Sequence, residues 1–325
     1  MSALKLDAEY AEALEKTLSL LGDKPAIKPR IGDVEARRTA TNRTWPILLS
    51  QLPPTSDVER THIGSVESKD GFEVPLYRFA KKGGSQSDAA PAIVYIHGGG
   101  YFCLSVEVYS PLLSTYVSQS GVQIFAMDYR LSPEHRFPAP LEDCYAGLKY
   151  VHENAAQLGV DPERIGIMGD SAGGGLCAGT AILARNRGLK LAKQLVINGN
   201  LDDRNINPRS LSELAQFATW SFEDNITAWD AYLEPGHEFK NYIAAPAAPA
   251  RLENTNELAP LYLDVGGLDI LTDEGIAYAM KVGKAGVEVE LHVYPGVPHS
   301  FEVFCPQTKI AKAAIQNRVR AMTSF

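Results

Sequence analysis

Short apolar runs alternating with helix-length segments fill the chain from residue 92 onward, and few folds accommodate that rhythm. Ala92-Ile93-Val94-Tyr95-Ile96 is followed by similar runs at Val122 to Met127, Ile165 to Met168, Gln194 to Ile197, Leu261 to Val265 and Val287 to Tyr294. Between most of them lie segments of helical length: Val106 to Gln119, Leu141 to Leu158, Ala172 to Arg187 and Glu274 to Lys284, with Thr308 to Met322 at the end. A strand covered on both faces has no polar side to alternate with, so the pattern predicts a mostly parallel sheet flanked by helices. Upstream, His62 to Ser68 and Val74 to Phe79 read as strands paired across a tight turn at Lys69-Asp70-Gly71. They bring the expected sheet to eight strands.

One interval breaks the rhythm. Between Asn198 and Pro260 there is no strong strand, only two predicted helices, Leu211 to Trp220 and Phe222 to Leu233, and the Ala/Pro-rich Ala244 to Ala250. That is too long for a plain crossover and implies an insertion over one edge or end of the sheet. At the N-terminus, Leu4, Ala8, Ala11, Leu14, Leu18 and Leu21 have helical spacing, with Gly22, Pro25 and Pro29 as stops. From there to Pro54 the chain reads as loop and short helical pieces anchored by Trp45 and Ile47-Leu48-Leu49. The expected organisation is an N-terminal segment over 1–55, a core over 56–200, an insertion over 201–250 and the rest of the core over 251–325.

Charge narrows the partners. A formal net charge of -8 with no long Lys/Arg block argues against nucleic acid or an anionic membrane surface as partner. No run approaches the roughly 18 apolar residues of a spanning helix. Cys103, Cys144, Cys177 and Cys305 are scattered without CxxC spacing, and no apolar signal stretch opens the sequence, so a reduced, cytoplasmic setting is expected. The acceptor spacings at Asn42-Arg43-Thr44 and Asn225-Ile226-Thr227 are then chance matches.

Gly169-Asp170-Ser171-Ala172-Gly173 follows one predicted strand and opens a helix, the context in which G-x-S-x-G carries a nucleophile. A sharp strand-to-helix turn exposes the Ser171 hydroxyl beside free helix N–H groups. His97-Gly98-Gly99-Gly100 follows another strand, and a triple glycine leaves backbone amides uncovered, as an oxyanion hole requires. With the amide of Ala172, Gly99 and Gly100 are the favoured donors and Gly98 a further candidate, while His97 holds the loop. A serine needs a base, and the base an orienting acid, each from the end of a later strand. Asp269 fits the acid, with Asp273 the alternative, and His299 in Pro295-Gly296-Val297-Pro298-His299 fits the base. His62, His135, His152, His237 and His292 lie too early, in helices or within a predicted strand.

Together these residues resemble the hormone-sensitive-lipase-like, or bacterial group IV, esterases of the α/β-hydrolase fold, over residues 62 to 322 above all. The family's G-D-S-A-G-G stands here as Gly169 to Gly174. Its D-x-R-x-x-P-E resembles Asp128 to Glu134, its D-P-L-x-D-E resembles Asp269 to Glu274, and its H-G-F resembles His299-Ser300-Phe301. Ile270 replaces the usual proline and Ser300 the usual glycine. The resemblance implies a helical cap built from the N-terminal segment and an insertion after the sixth strand, and the retained His299 argues for an enzyme over a receptor.

The expected chemistry is hydrolysis of a small-molecule ester through an acyl-enzyme at Ser171, with no metal or organic cofactor required. Tyr101, Phe102, Asp170, Phe217 and Trp220 are the candidate substrate contacts, forming a modest pocket for short- to medium-chain or aryl esters. Phe222 and Trp229 belong to the same aromatic group, which would equally fasten a cap to the core. An amidase, lactonase or carbamate hydrolase would use the same triad, and a non-catalytic binding protein the same pocket. A monomer or homodimer is expected.

Overall fold

The structure is a computed structural model and describes residues 4–22, 29–83, 89–205, 211–237 and 246–325. The stop at Pro25 and the start of the Ala/Pro-rich stretch at Ala244 lie outside the described residues.

Eight strands form one sheet. They are β1 (Val58–Glu67), β2 (Glu73–Lys81), β3 (Ala90–Ile96), β4 (Gln123–Met127), β5 (Val160–Asp170), β6 (Lys193–Ile197), β7 (Leu261–Gly266) and β8 (Val289–Tyr294), in the spatial order β1-β2-β4-β3-β5-β6-β7-β8. β1 pairs with β2, and β2 with β4, in antiparallel fashion; every pairing from β4 through β8 is parallel. The central strands β3, β4, β6 and β7 are buried almost throughout, which is why they read as unbroken apolar runs.

The helices on the sheet's faces are α3 (Val106–Ser120), α4 (Ala139–Glu153), α5 (Ala155–Leu158), α6 (Ala172–Asn186), α9 (Thr272–Lys284), α10 (Phe301–Phe304) and α11 (Lys309–Met322). Local chemistry sets their ends. The Ser105 hydroxyl caps α3 and Thr308 caps α11, while left-handed Gly121 stops α3. The single helix expected over 141–158 is instead two, broken at Asn154.

Among the described residues, four helices lie apart from this layer order. α1 (Ala8–Leu21) and α2 (Val34–Leu49) precede the sheet, and α7 (Leu211–Ala215) and α8 (Phe222–Tyr232) occupy the insertion and form a helical cap there. Ser221 and Asp224 close a capping box on α8. α2 corrects the loop reading of that region: it runs for 16 residues with Pro46 inside. Asn42 sits within it and accepts from the Leu104 amide. Among the described residues, no helix is long and apolar enough to cross a membrane.

Candidate active site

Because β3, β5, β7 and β8 run in parallel, their C-terminal ends open at one edge of the sheet. The loops that leave them carry His97, Ser171, Asp269 and His299 to the same place. Ser171 joins β5 to α6 with φ 55° and ψ −123°, a backbone that a side-chain-bearing residue adopts only at a cost. The two glycines of the motif make the turn possible. A Cβ at Gly169 would stand 2.2 Å from the Gly173 carbonyl oxygen, and one at Gly173 would stand 2.2 Å from that of Ile96.

The Ser171 hydroxyl lies 2.9 Å from His299 Nε2, and His299 Nδ1 lies 2.6 Å from Asp269 Oδ2. The other Asp269 oxygen accepts from the Leu271 amide at 3.0 Å, and the Thr219 hydroxyl from the cap donates to the His299 carbonyl at 2.6 Å. Asp273, the alternative acid, instead stands in the first turn of α9. Ser171, Asp269 and His299 are all buried. Burial drives the His299 ring toward its neutral form, but the charge and hydrogen bond of Asp269, with Glu302 and Asp170 behind, outweigh it and hold its pKa above the ordinary imidazole value.

Above Ser171 is a cavity of about 230 Å³, bordered by Gly99, Gly100, Asp170, Trp220, His299 and Ser300. Arg37, Thr41, Thr44 and Trp45 of α2 border it as well. Among the described residues, the amides of Gly99, Gly100 and Ala172 donate to no backbone carbonyl, whereas the Gly98 amide donates to the Tyr109 hydroxyl at 3.2 Å. His97 is fully enclosed, stacked on Tyr129 with ring centroids 4.4 Å apart, and burial lowers its pKa, so it braces the loop as an uncharged ring.

Of the expected substrate contacts, Trp220 and Asp170 border this cavity, and Tyr101, Phe102 and Phe217 do not. The Gly99 carbonyl accepts from the amides of both Phe102 and Cys103, and this turn sends the Tyr101 and Phe102 rings inward. Tyr101 stacks on Tyr232 at 4.3 Å, and Phe102 lies behind Trp220 at 6.5 Å. Phe217 packs against Leu214, Leu268, Ile270 and Leu271. Trp229 is buried against Tyr101 and Tyr232, so this part of the aromatic set fastens cap to core. The Asp170 carboxylate is itself occupied, accepting from Tyr95 at 2.7 Å and Tyr109 at 2.6 Å.

Sequence reasoning missed the contribution of α2. Arg38 donates to the Phe102 and Ser132 carbonyls and pairs with both Glu134 oxygens, and Arg37 pairs with Asp224 of α8 at 2.7 Å. The mostly polar stretch over 37–44, with Ala40 as its one apolar residue, gave no apolar stripe to follow. Its signal would have been Arg37-Arg38 upstream of the D-x-R-x-x-P-E stretch, and that is weak.

A serine on a strained strand-to-helix turn, hydrogen-bonded to an imidazole that a buried carboxylate orients, defines a serine hydrolase of the α/β type acting on esters. The comparisons with known proteins agree. A family model described as alpha/beta hydrolase fold matches residues 93–303, and the chain belongs to that family, among its hormone-sensitive-lipase-like bacterial esterases. Carboxylesterase NlhH of Mycobacterium tuberculosis is 34% identical over 67% of this chain and 68% of its own length. Ethyl acetate hydrolase of Pseudomonas putida is 30% identical over 73% and 74%. The solved structure of a bacterial heroin esterase superimposes with a TM-score of 0.85 at 31% identity, covering 98% of this chain and 97% of that one.

Proposed function

We propose that this chain is a carboxylesterase for short- to medium-chain or aryl esters. The observation that carries the reading is the continuous contact from Ser171 Oγ through His299 to Asp269, at 2.9 and 2.6 Å, on the floor of a cavity of about 230 Å³. His299 takes the hydroxyl proton as Ser171 attacks the ester carbonyl, and Asp269 holds the ring and stabilises the imidazolium. The oxyanion is received by the amides of Gly99, Gly100 and Ala172, each worth on the order of 3 kcal/mol of transition-state stabilisation. His299 returns the proton to the departing alcohol, then activates a water that releases the acid.

The cavity volume supports a small acyl group, since Trp220 on the cap and Trp45 on α2 border it. Trp220 is read as a substrate contact, and Asp170 as a residue acting through the groups it binds. Two relatives carry names of ester hydrolases, for ethyl acetate and for heroin, and these support the same substrate class. Four unbridged, buried cysteines support a cytoplasmic setting.

Initial rates on p-nitrophenyl esters from acetate to palmitate test the reading. The expected optimum is at the short end, and a preference beyond about twelve carbons overturns the small-pocket claim. Ser171→Ala should lose at least about 10⁴-fold in kcat, and a fluorophosphonate should label wild type at Ser171. A wild type that hydrolyses anilides or lactones faster than esters would move the assignment to those classes.

A further inference from the structure

Beneath the glycine loop lies a buried chain of hydrogen bonds that the acyl-transfer steps do not use. The Gly98 amide donates to the Tyr109 hydroxyl at 3.2 Å, and that hydroxyl donates to Asp170 Oδ2 at 2.6 Å. Asp170 precedes the nucleophile directly, and its Oδ1 accepts from the Tyr95 hydroxyl at 2.7 Å. All three side chains are buried. The fit at Gly98 is close. A Cβ there would stand 2.7 Å from Asp170 Oδ2, 2.8 Å from Tyr109 Oη and 3.0 Å from the Asp170 carbonyl oxygen. The loop is therefore seated directly on the phenol and the carboxylate, with no intervening side chain.

We infer that Tyr109 is a positioning residue for the oxyanion-binding loop, tying the Gly98 amide to the residue before the nucleophile so that the next two amides face the reacting oxygen. The inference deepens the esterase reading and rests on it. Three observations converge. The phenol is the group that accepts from Gly98, so that amide orients the loop and does not receive the oxyanion. Tyr109 borders the cavity beside Gly99 and Gly100. Asp170 is fixed to Ser171 by a single peptide bond, so the chain of contacts sets loop and nucleophile at one spacing. Burial raises the Asp170 pKa and the two phenols oppose that rise, as expected of a carboxylate kept for its acceptor oxygens.

An oxyanion hole acts only where its donors meet the charge as it forms, and a misplacement of about 1 Å costs on the order of 100-fold. Tyr109→Phe removes one oxygen and leaves the ring. The matching control, Tyr95→Phe, removes an equivalent donor from the same carboxylate without touching Gly98. The experiment measures kcat and KM on p-nitrophenyl acetate, thermal unfolding, and inhibition by a trifluoromethyl ketone. Ser171 adds to that ketone by forming the Oγ–C bond while the carbonyl π pair moves to oxygen and the hydroxyl proton to His299, so the adduct carries the same oxyanion.

Tyr109→Phe is expected to lower kcat about 10- to 100-fold, leave KM within about threefold, and weaken ketone affinity by the same factor as kcat/KM. Tyr95→Phe should cost similar stability with a loss of ketone affinity at least about tenfold smaller. Equal losses of ketone affinity in the two variants, or none in Tyr109→Phe, overturn the inference while a wild type labelled at Ser171 keeps the esterase reading. A wild type that is neither labelled nor inhibited overturns both.

Discussion

His299 is held through both its ring and its backbone. Asp269 fixes Nδ1, Thr219 holds the backbone carbonyl, and Nε2 is left to accept from Ser171. Turnover needs this imidazole neutral. Because Asp269, Glu302 and Asp170 together raise its pKa despite burial, activity should fall with acidification through a value above the ordinary 6.5 or so. Asp269→Asn removes the largest of the raising influences. The acid limb of its kcat/KM profile should move to lower pH, with kcat down by about 10⁴-fold; a limb that stays in place refutes the assignment of Asp269. The neighbouring Ser300 stands where the family pattern has glycine, and it adopts a left-handed backbone, φ 53° and ψ 32°. That conformation costs a side-chain-bearing residue about 1–2 kcal/mol, while glycine gives back about 0.4–1 kcal/mol in unfolded-state freedom. Ser300→Gly is thus expected to stabilise the protein by about 0.5–1 kcal/mol in urea unfolding, and destabilisation would mean that the hydroxyl makes a compensating contact.

At the scale of elements, Trp220 makes the cap part of the cavity wall. Its indole N–H donates to Asn225 Oδ1 at 3.1 Å, and its ring lies 6.2 Å from that of His299, so it is anchored at one end and faces the reacting centre at the other. Trp220→Ala should shift the optimum of the p-nitrophenyl ester series toward longer chains and lower kcat/KM on acetate about tenfold, since a lost apolar wall is worth about 1–3 kcal/mol in discrimination. An unchanged chain-length profile would place the acyl group elsewhere. The same elements show what the sequence could convey. The strands and α6 were legible because burial on two faces leaves only apolar residues to choose from, and because the strand, serine and helix of the motif follow one another directly. α2 was illegible because its inward face is held by Arg37, Arg38 and Asn42 through an ion pair, a backbone carbonyl and a backbone amide. Those contacts are made with partners remote in the chain, which no local periodicity reveals. Tyr101 and Phe102 misled for a related reason: adjacency to the glycine loop places a residue near the site, but the turn at Gly99 decides which way the ring goes.

For the molecule as a whole, the site is as firm as the frame that brings separate loops together, and that frame contains a fully buried ionic cluster. Arg318 of α11 has both ends of its guanidinium engaged: Nε and Nη2 donate to the two Asp264 oxygens on β7 at 2.7 and 2.9 Å, and Nη1 donates to Glu302 of α10 at 2.6 Å. The Tyr116 hydroxyl of α3 accepts from Nη1 at 3.2 Å, and the Tyr262 hydroxyl donates to Asp264. One cation thereby joins the strand that ends at the acid loop, the short helix that follows the base and the last helix of the chain. The first helix completes the bracing, with the Asp7 amide on the Gly296 carbonyl and Thr17 on that of Phe304. A buried ion pair need not add net stability over apolar packing, but breaking one strands the remaining charge. Arg318→Met leaves two carboxylates without their cation and should cost about 3–5 kcal/mol in guanidinium unfolding. Adding Asp264→Leu and Glu302→Leu removes the stranded charges and should recover most of that loss, since the cost lies in the uncompensated carboxylates and only secondarily in the missing contacts. A triple variant no more stable than Arg318→Met would mean that the cluster is needed for its geometry, as the joint that sets the acid loop against the base loop. Activity measured on the recovered fold separates the two roles: a stable triple variant with weakened turnover would assign the cluster to alignment of Asp269 and His299, and one with wild-type turnover would confine it to stability.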